Sequence, residues 1–220
     1  MAKTILSTLQ IDILKFLAKQ RIIQDQFYFG GGTVLSECYL HHRLSEDLDF
    51  FSDTEFDPQQ IAILAKKLKQ NFPIKNIEYR QQFHRNLYFF EFPAKEIIKM
   101  EFTYFPFERI DGRGRFMDIS IDSLLDISVN KLHTIIMQPR SRDFIDLYLV
   151  LKKKLWGLEE LLKYVRIKYD TSVDYAHLGK QFLLVSDVKD YPNMIIPLPP
   201  EKWKKFFLDL AMSFENKILK

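Results

Sequence analysis

Apolar positions in the first half of the chain alternate between helical and strand spacing, and the switches lay out the expected elements. In residues 5–20, Leu6, Leu9, Ile13, Leu14, Phe16 and Leu17 fall near one side of a 3.6-residue period, which predicts an amphipathic helix packed on a sheet. Phe27–Phe29 reads as a short strand ending in glycines, with Thr33 placed to cap a helix through about Leu40. Asp47–Phe51 is the next expected strand, and Pro58 stands where proline opens a helix, here to about Gln70. From Ile74 to Phe105 three strand-like runs, IKNIEYRQQF, NLYFFEFP and EIIKMEFTYF, are separated by short polar or proline breaks, the pattern of an antiparallel meander.

Asp111, Gly112 and Gly114 mark a loop, after which the spacing is helical almost throughout: about 121–137, 142–154, 158–169, 174–186 and 201–218. The expected organisation is a sheet domain over residues 1–120 and a helical domain over 121–220 that completes a shared cleft. No internal repeat or low-complexity tract interrupts it.

Composition narrows the class. A 220-residue chain that is 47% hydrophobic has the material for a sizeable core, so disorder is not expected. The formal charge of +3 is too mild to point to a polyanionic partner. The single cysteine, Cys38, cannot form an internal disulfide and sits in an apolar helical context, so a reducing compartment and a packing role are expected. The opening MAKTILSTLQIDILKFLAKQ lacks the unbroken apolar core of a secretory signal, and no run approaches the ~18 apolar residues of a membrane span. A cytoplasmic protein with no membrane partner is expected.

The densest chemistry lies in Gly30–Phe51, GGGTVLSECYLHHRLSEDLDFF. Alternation in a strand sends Asp47, Asp49 and Phe51 to one face and Leu48 and Phe50 to the other. Two anions on one strand face repel unless water or a divalent cation lies between them, and hard oxygen donors of this kind suit Mg²⁺ with substrate phosphates. A solvated strand end is the plainer alternative, but apolar LDFF argues against an exposed edge. Upstream, Gly30–Gly32 followed by Thr33 make a strand-to-helix turn whose amides can approach phosphate. GxGxxG fails at Leu35, and no lysine follows the turn, so neither a dinucleotide fingerprint nor a P-loop is present. In the third meander run Glu101 shares a polar face with Lys99 and Thr103, as a third carboxylate or as a lysine's cross-strand partner. Lys131 lies in one helical run, and Asp143 opens another whose Arg142 and Asp146 read as an i,i+4 pair. Lys131 could reach a triphosphate, its compact charge neutralising the leaving pyrophosphate. The five histidines lack ligand spacing, so zinc is not expected, and His42 beside Arg43 reads as surface.

Taken together, Gly31–Thr33, HRLSEDLDFF at His42–Phe51, KMEF at Lys99–Phe102 and KLHTIIMQPRSRDFIDLYLVL at Lys131–Leu151 resemble the AbiEii/AbiGii abortive-infection nucleotidyltransferase family in order and spacing. The resemblance covers most of residues 27–151. It implies an α+β fold of the polymerase-beta-like nucleotidyltransferase type: a mixed sheet flanked by helices, with a C-terminal helical bundle. It further implies a toxin of a toxin–antitoxin or phage-defence system, with an antitoxin protein as partner. Characterised relatives transfer nucleotides from an NTP, some onto tRNA acceptor ends. Residue by residue, Gly31, Gly32 and Thr33 would hold triphosphate, Asp47 and Asp49 would bind Mg²⁺, and Glu101 would stand at the third carboxylate position. Lys131 would contact phosphates and Asp143 would complete the site, with Arg43 and Ser45 ordering the aspartate strand. Glu at the third position departs from the aspartate of many polymerase-like enzymes and leaves one or two metals open. A non-catalytic binding protein of the same fold and a small-molecule nucleotidyltransferase are the alternatives.

Overall fold

A computed structural model describes residues 4–218; residues 1–3 and 219–220 of the two expected domains lie outside the described residues. The chain divides into two compact units. The first runs to Glu108 and includes Gly112–Ser123, and the second comprises Arg109–Asp111 and the chain from Leu124.

The first unit opens with α1 (Thr8–Leu17), started by a capping box in which Ser7 and Gln10 exchange side-chain and backbone hydrogen bonds. The single helix expected over 5–20 ends at Leu17. The Gln20 and Gln24 side-chain amides donate to the Phe16 and Ala18 carbonyls at that helix end, and a short α2 (Arg21–Gln26) follows. Strand β1 (Tyr28–Gly30) leads into α3 (Gly31–Val34), which widens into a π turn over Leu35–Leu40 closed by His41 N–H to Ser36 O. Strand β2 (Leu48–Ser52) and α4 (Pro58–Asn71) come next, the latter capped by Asp57. The meander is as expected: β3 (Asn76–Gln82), β4 (Arg85–Glu91) and β5 (Ile97–Tyr104) pair antiparallel in sequence order.

After the loop the structure departs from the expected helix. Strands β6 (Gly114–Phe116) and β7 (Ile119–Ile121) form a hairpin turned by Met117 and Asp118, at φ of 49° and 62°. Such a turn favours Asn-Gly, and Met-Asp gives no signal of it. The seven strands are ordered β3-β4-β5-β2-β1-β7-β6, with β2·β5 and β1·β7 parallel and the other pairs antiparallel. Alternation gives the central strands two unlike faces. Phe29, Phe50 and Phe102 stack at 5.3 Å spacings on one; Asp49 and Glu101 stand opposite one another on the other.

The second unit is helical: α5 (Leu124–Met137), α6 (Ser141–Lys152), α7 (Leu158–Tyr169), α8 (Tyr175–Leu183), α9 (Pro200–Ser213) and α10 (Glu215–Ile218). Leu132, Ile135, Phe144, Leu161, Phe182, Trp203 and Phe207 form its core. Asp126 is buried in α5. It accepts hydrogen bonds from the Ile110 and Asp111 amides at 3.0 and 3.1 Å and pairs with buried Lys168 at 2.7 Å. No helix among the described residues is long and apolar enough to cross a membrane.

Candidate nucleotide-transfer site

Strand register sets the geometry in the first unit. Gly30 pairs with Asp49 and Asp49 with Glu101, so the glycine turn and two carboxylates lie across three adjacent strands. Gly31 adopts φ +70°, and a Cβ there would stand 2.6 Å from Asp49 Oδ2. A Cβ on Gly32 would stand 2.6 Å from Arg43 Nη2 and 3.2 Å from Ser45 Oγ. Each glycine therefore makes room for a charged side chain brought up against the turn. Thr33 does not cap its helix. It lies inside α3, fully buried, and its hydroxyl is 2.5 Å from Asp47 O and 2.8 Å from Ser45 Oγ. That hydroxyl ties the turn to the entry of the aspartate strand. His42, expected at the surface, is buried, and so is Arg43, which stands against the turn at Gly32 and donates to Leu44 O.

On the same face, Lys99 Nζ lies 2.9 Å from Asp47 Oδ2 and 3.6 Å from Glu101 Oε2. Arg85 grips Glu101 with two 2.6 Å hydrogen bonds, and Thr103 adds a third at 2.8 Å. Burial pushes the Glu101 carboxyl up, but Arg85, Thr103 and Lys99 outweigh it and hold it below the usual carboxylate range. An acid so held is a poor proton acceptor at neutral pH.

Among the described residues, no group of three or more His, Cys, Asp or Glu side chains is arranged to hold a metal ion. The donor chemistry of the aspartate pair nonetheless fits a hard divalent cation: both offer only carboxylate oxygens, half-buried, and a lysine ammonium already stands against Asp47. Glu101 is committed to Arg85 and would have to exchange that partner to join them.

Lys131 and Asp143 meet in the second unit. Lys131 Nζ lies 2.8 Å from both Asp143 Oδ1 and Asp146 Oδ2, and both aspartates are fully buried. Arg140 adds a 2.8 Å bond to Asp143. Asp146 thus serves Lys131 rather than the Arg142 pairing expected from spacing alone. Burial raises the Asp143 carboxyl, but Lys131 and Arg140 bring it below its ordinary value. Cys38 is half-buried, and burial followed by Glu37 pushes its thiol up to about 12, which leaves it inert as a nucleophile. Arg85 and Arg140 carry no strong site signal in the sequence, each being an ordinary surface type whose partner lies on another element or turn, and Asp146 reads there only as the partner of Arg142. Alternation along β4 carried a faint signal for Arg85 alone.

Such a mixed α+β sheet with its helices is the fold of nucleotidyltransferases, and known proteins share it. The crystal structure of JHP933 from Helicobacter pylori matches with a TM-score of 0.60 at 18% identity, over 96% of this chain and 94% of that one. MenT4, the nucleotidyltransferase toxin Rv2826c of Mycobacterium tuberculosis H37Rv, matches with a TM-score of 0.58 at 14% identity, over 94% of this chain and 81% of that one. At such identities the likeness speaks for the fold alone. In sequence, the uncharacterized protein aq_aa25 of Aquifex aeolicus (strain VF5) is 28% identical over 172 residues, 76% of this chain and 78% of that protein. The chain belongs to the family described as nucleotidyl transferase AbiEii toxin, type IV TA system, which matches residues 15–217. It is a nucleotidyltransferase of the toxin type.

Proposed function

We propose that this protein transfers a nucleotide from an NTP to an acceptor hydroxyl on RNA, tRNA among the candidates, with Mg²⁺ as cofactor, as the toxin of a pair whose antitoxin is a separate protein. The observation that carries the site is the Gly31–Gly32 turn, closed over Asp49 and Arg43 and bonded through Thr33 to the Asp47 carbonyl. Turn amides supply donors for triphosphate oxygens, with buried Arg43 supporting the turn from beneath. Asp47 and Asp49 would hold Mg²⁺, which when bound neutralises phosphate charge. The acceptor hydroxyl oxygen bonds to the α-phosphorus as the bond to pyrophosphate breaks, and the hydroxyl proton leaves to solvent. Glu101 acts here through Arg85 and Lys99, keeping Lys99 beside Asp47. Within the helical unit Lys131 and Asp143 form a preorganised ion pair. The tRNA acceptor, the antitoxin and the phage-defence setting rest on the family resemblance, and a cytoplasmic site of action goes with them.

The test incubates the protein with each α-labelled NTP, Mg²⁺ and total tRNA, beside an Asp47→Ala variant. Label is expected in RNA with wild type, reduced about 10²–10³-fold in the variant. Full transfer by Asp47→Ala would sink the assignment of the aspartate pair. Label on a small molecule instead of RNA would replace the acceptor.

A further inference from the structure

The carboxylate face of the sheet continues past Asp49 into aromatic rings that the reaction leaves without a role. Phe51 lies two residues beyond Asp49 on that face, about 7 Å along the strand, and pairs in register with Tyr28. Ring centroids lie 5.7 Å apart for Tyr28 and Phe51, and 5.6 Å apart for Phe51 and Phe105. Tyr28 is buried, whereas Phe51 and Phe105 are only half-buried. Over Tyr28 lies Arg113, its Cζ 4.2 Å from the ring centroid and its Nη2 2.7 Å from Asp53 Oδ2. Arg113 Nε is buried and has no hydrogen-bond partner.

Buried N–H donors are rarely left in this state, so the unmatched donor points to an acceptor that arrives with a ligand. Asp53 already balances the guanidinium charge, which disfavours a phosphate and favours a neutral acceptor. The adjoining rings offer stacking to a flat partner. A planar guanidinium whose orientation is fixed by stacking and by a carboxylate presents its remaining donors directionally.

We propose that Arg113, with the Phe51–Phe105 rings, forms the subsite for the base of the incoming NTP, Arg113 donating to a carbonyl oxygen on the base edge. The proposal rests on the nucleotide-transfer reading and adds the residue that selects the base. Guanine, uracil and cytosine carry such a carbonyl and adenine does not, so ATP is the disfavoured nucleotide.

The test measures binding of the four NTPs with Mg²⁺ by calorimetry, using the full chain, Arg113→Gln and Phe105→Leu, each checked for folding by thermal melting. Wild type is expected to bind one carbonyl-bearing NTP at least about tenfold more tightly than ATP. Arg113→Gln should remove most of that ratio by weakening the preferred nucleotide and sparing ATP. Phe105→Leu should weaken all four and keep the ratio. A ligand-side arm needs no variant: the analogue of the preferred NTP lacking its base carbonyl should bind wild type about tenfold more weakly. Preference for ATP, an unchanged ratio in Arg113→Gln, equal loss for all four NTPs in that variant, or undiminished binding of the analogue would each overturn the base subsite. Wild type that transfers nucleotide while showing any of these retains its activity and loses only the subsite. Wild type that binds none of the four loses both readings.

Discussion

A methyl group on Gly31 would meet Asp49 Oδ2 at 2.6 Å and Asp49 Cβ at 3.3 Å, on a backbone whose φ of +70° already disfavours any side chain. The Gly31→Ala variant is therefore expected to lose about 1–2 kcal/mol of stability from the left-handed backbone. Its transfer rate should fall about 10²-fold, because Asp49 must move by a sizeable fraction of an ångström. Thermal melting and the labelled-NTP assay read the two effects separately, and a folded variant at wild-type rate would contradict the close packing of turn and carboxylate. The turn itself was legible in the sequence, since three glycines after an apolar strand and before a helix carry a local signal. What presses on it was not. Arg43 and Asp49 reach the glycines from 11 and 18 residues downstream, and burial of His42 and Arg43 is a tertiary fact that two polar letters beside a loop conceal.

Elements show the same division between local and distant causes. The meander, the helix opened by Pro58 and the helical succession after residue 124 followed from periodicity, because each element's own apolar spacing decides its form. The β6–β7 hairpin was missed, its strands being three residues long and its turn lacking glycine or asparagine. Two elements carry carboxylates that govern the acid limb of stability: Glu101 in β5 and Asp143 in α6. Both hold pKa values below the ordinary 4.5 and 3.8, so the unfolded chain binds protons that the folded one does not. Stability should thus be fully present above about pH 5 and fall as pH drops through the carboxylate range toward those lower folded values. Urea denaturation across that range checks the slope, and stability that rises on acidification would refute the pairing. At neutral pH, Lys131→Met should cost about 3–5 kcal/mol by leaving Asp143 and Asp146 buried without their shared cation.

The whole molecule is two units joined by a chain that changes unit three times, after Glu108, after Asp111 and after Ser123. The expected boundary near residue 120 treats the units as consecutive in sequence, because composition and periodicity cannot show three residues belonging to a unit that begins 13 positions later. Their place is fixed by Asp126, whose carboxylate accepts the Ile110 and Asp111 amides while pairing with Lys168. A fragment starting at Leu124 leaves a buried acid without those two donors, and it should melt with about 1–3 kcal/mol less stability than one starting at Arg109. Equal melting of the two fragments would show the clasp to be idle. For recombination between relatives, this means that a single crossover cannot exchange the helical half cleanly. The tripeptide must travel with the helices that hold it, so inheritance of the two halves as intact pieces requires cuts on both sides of residues 109–111.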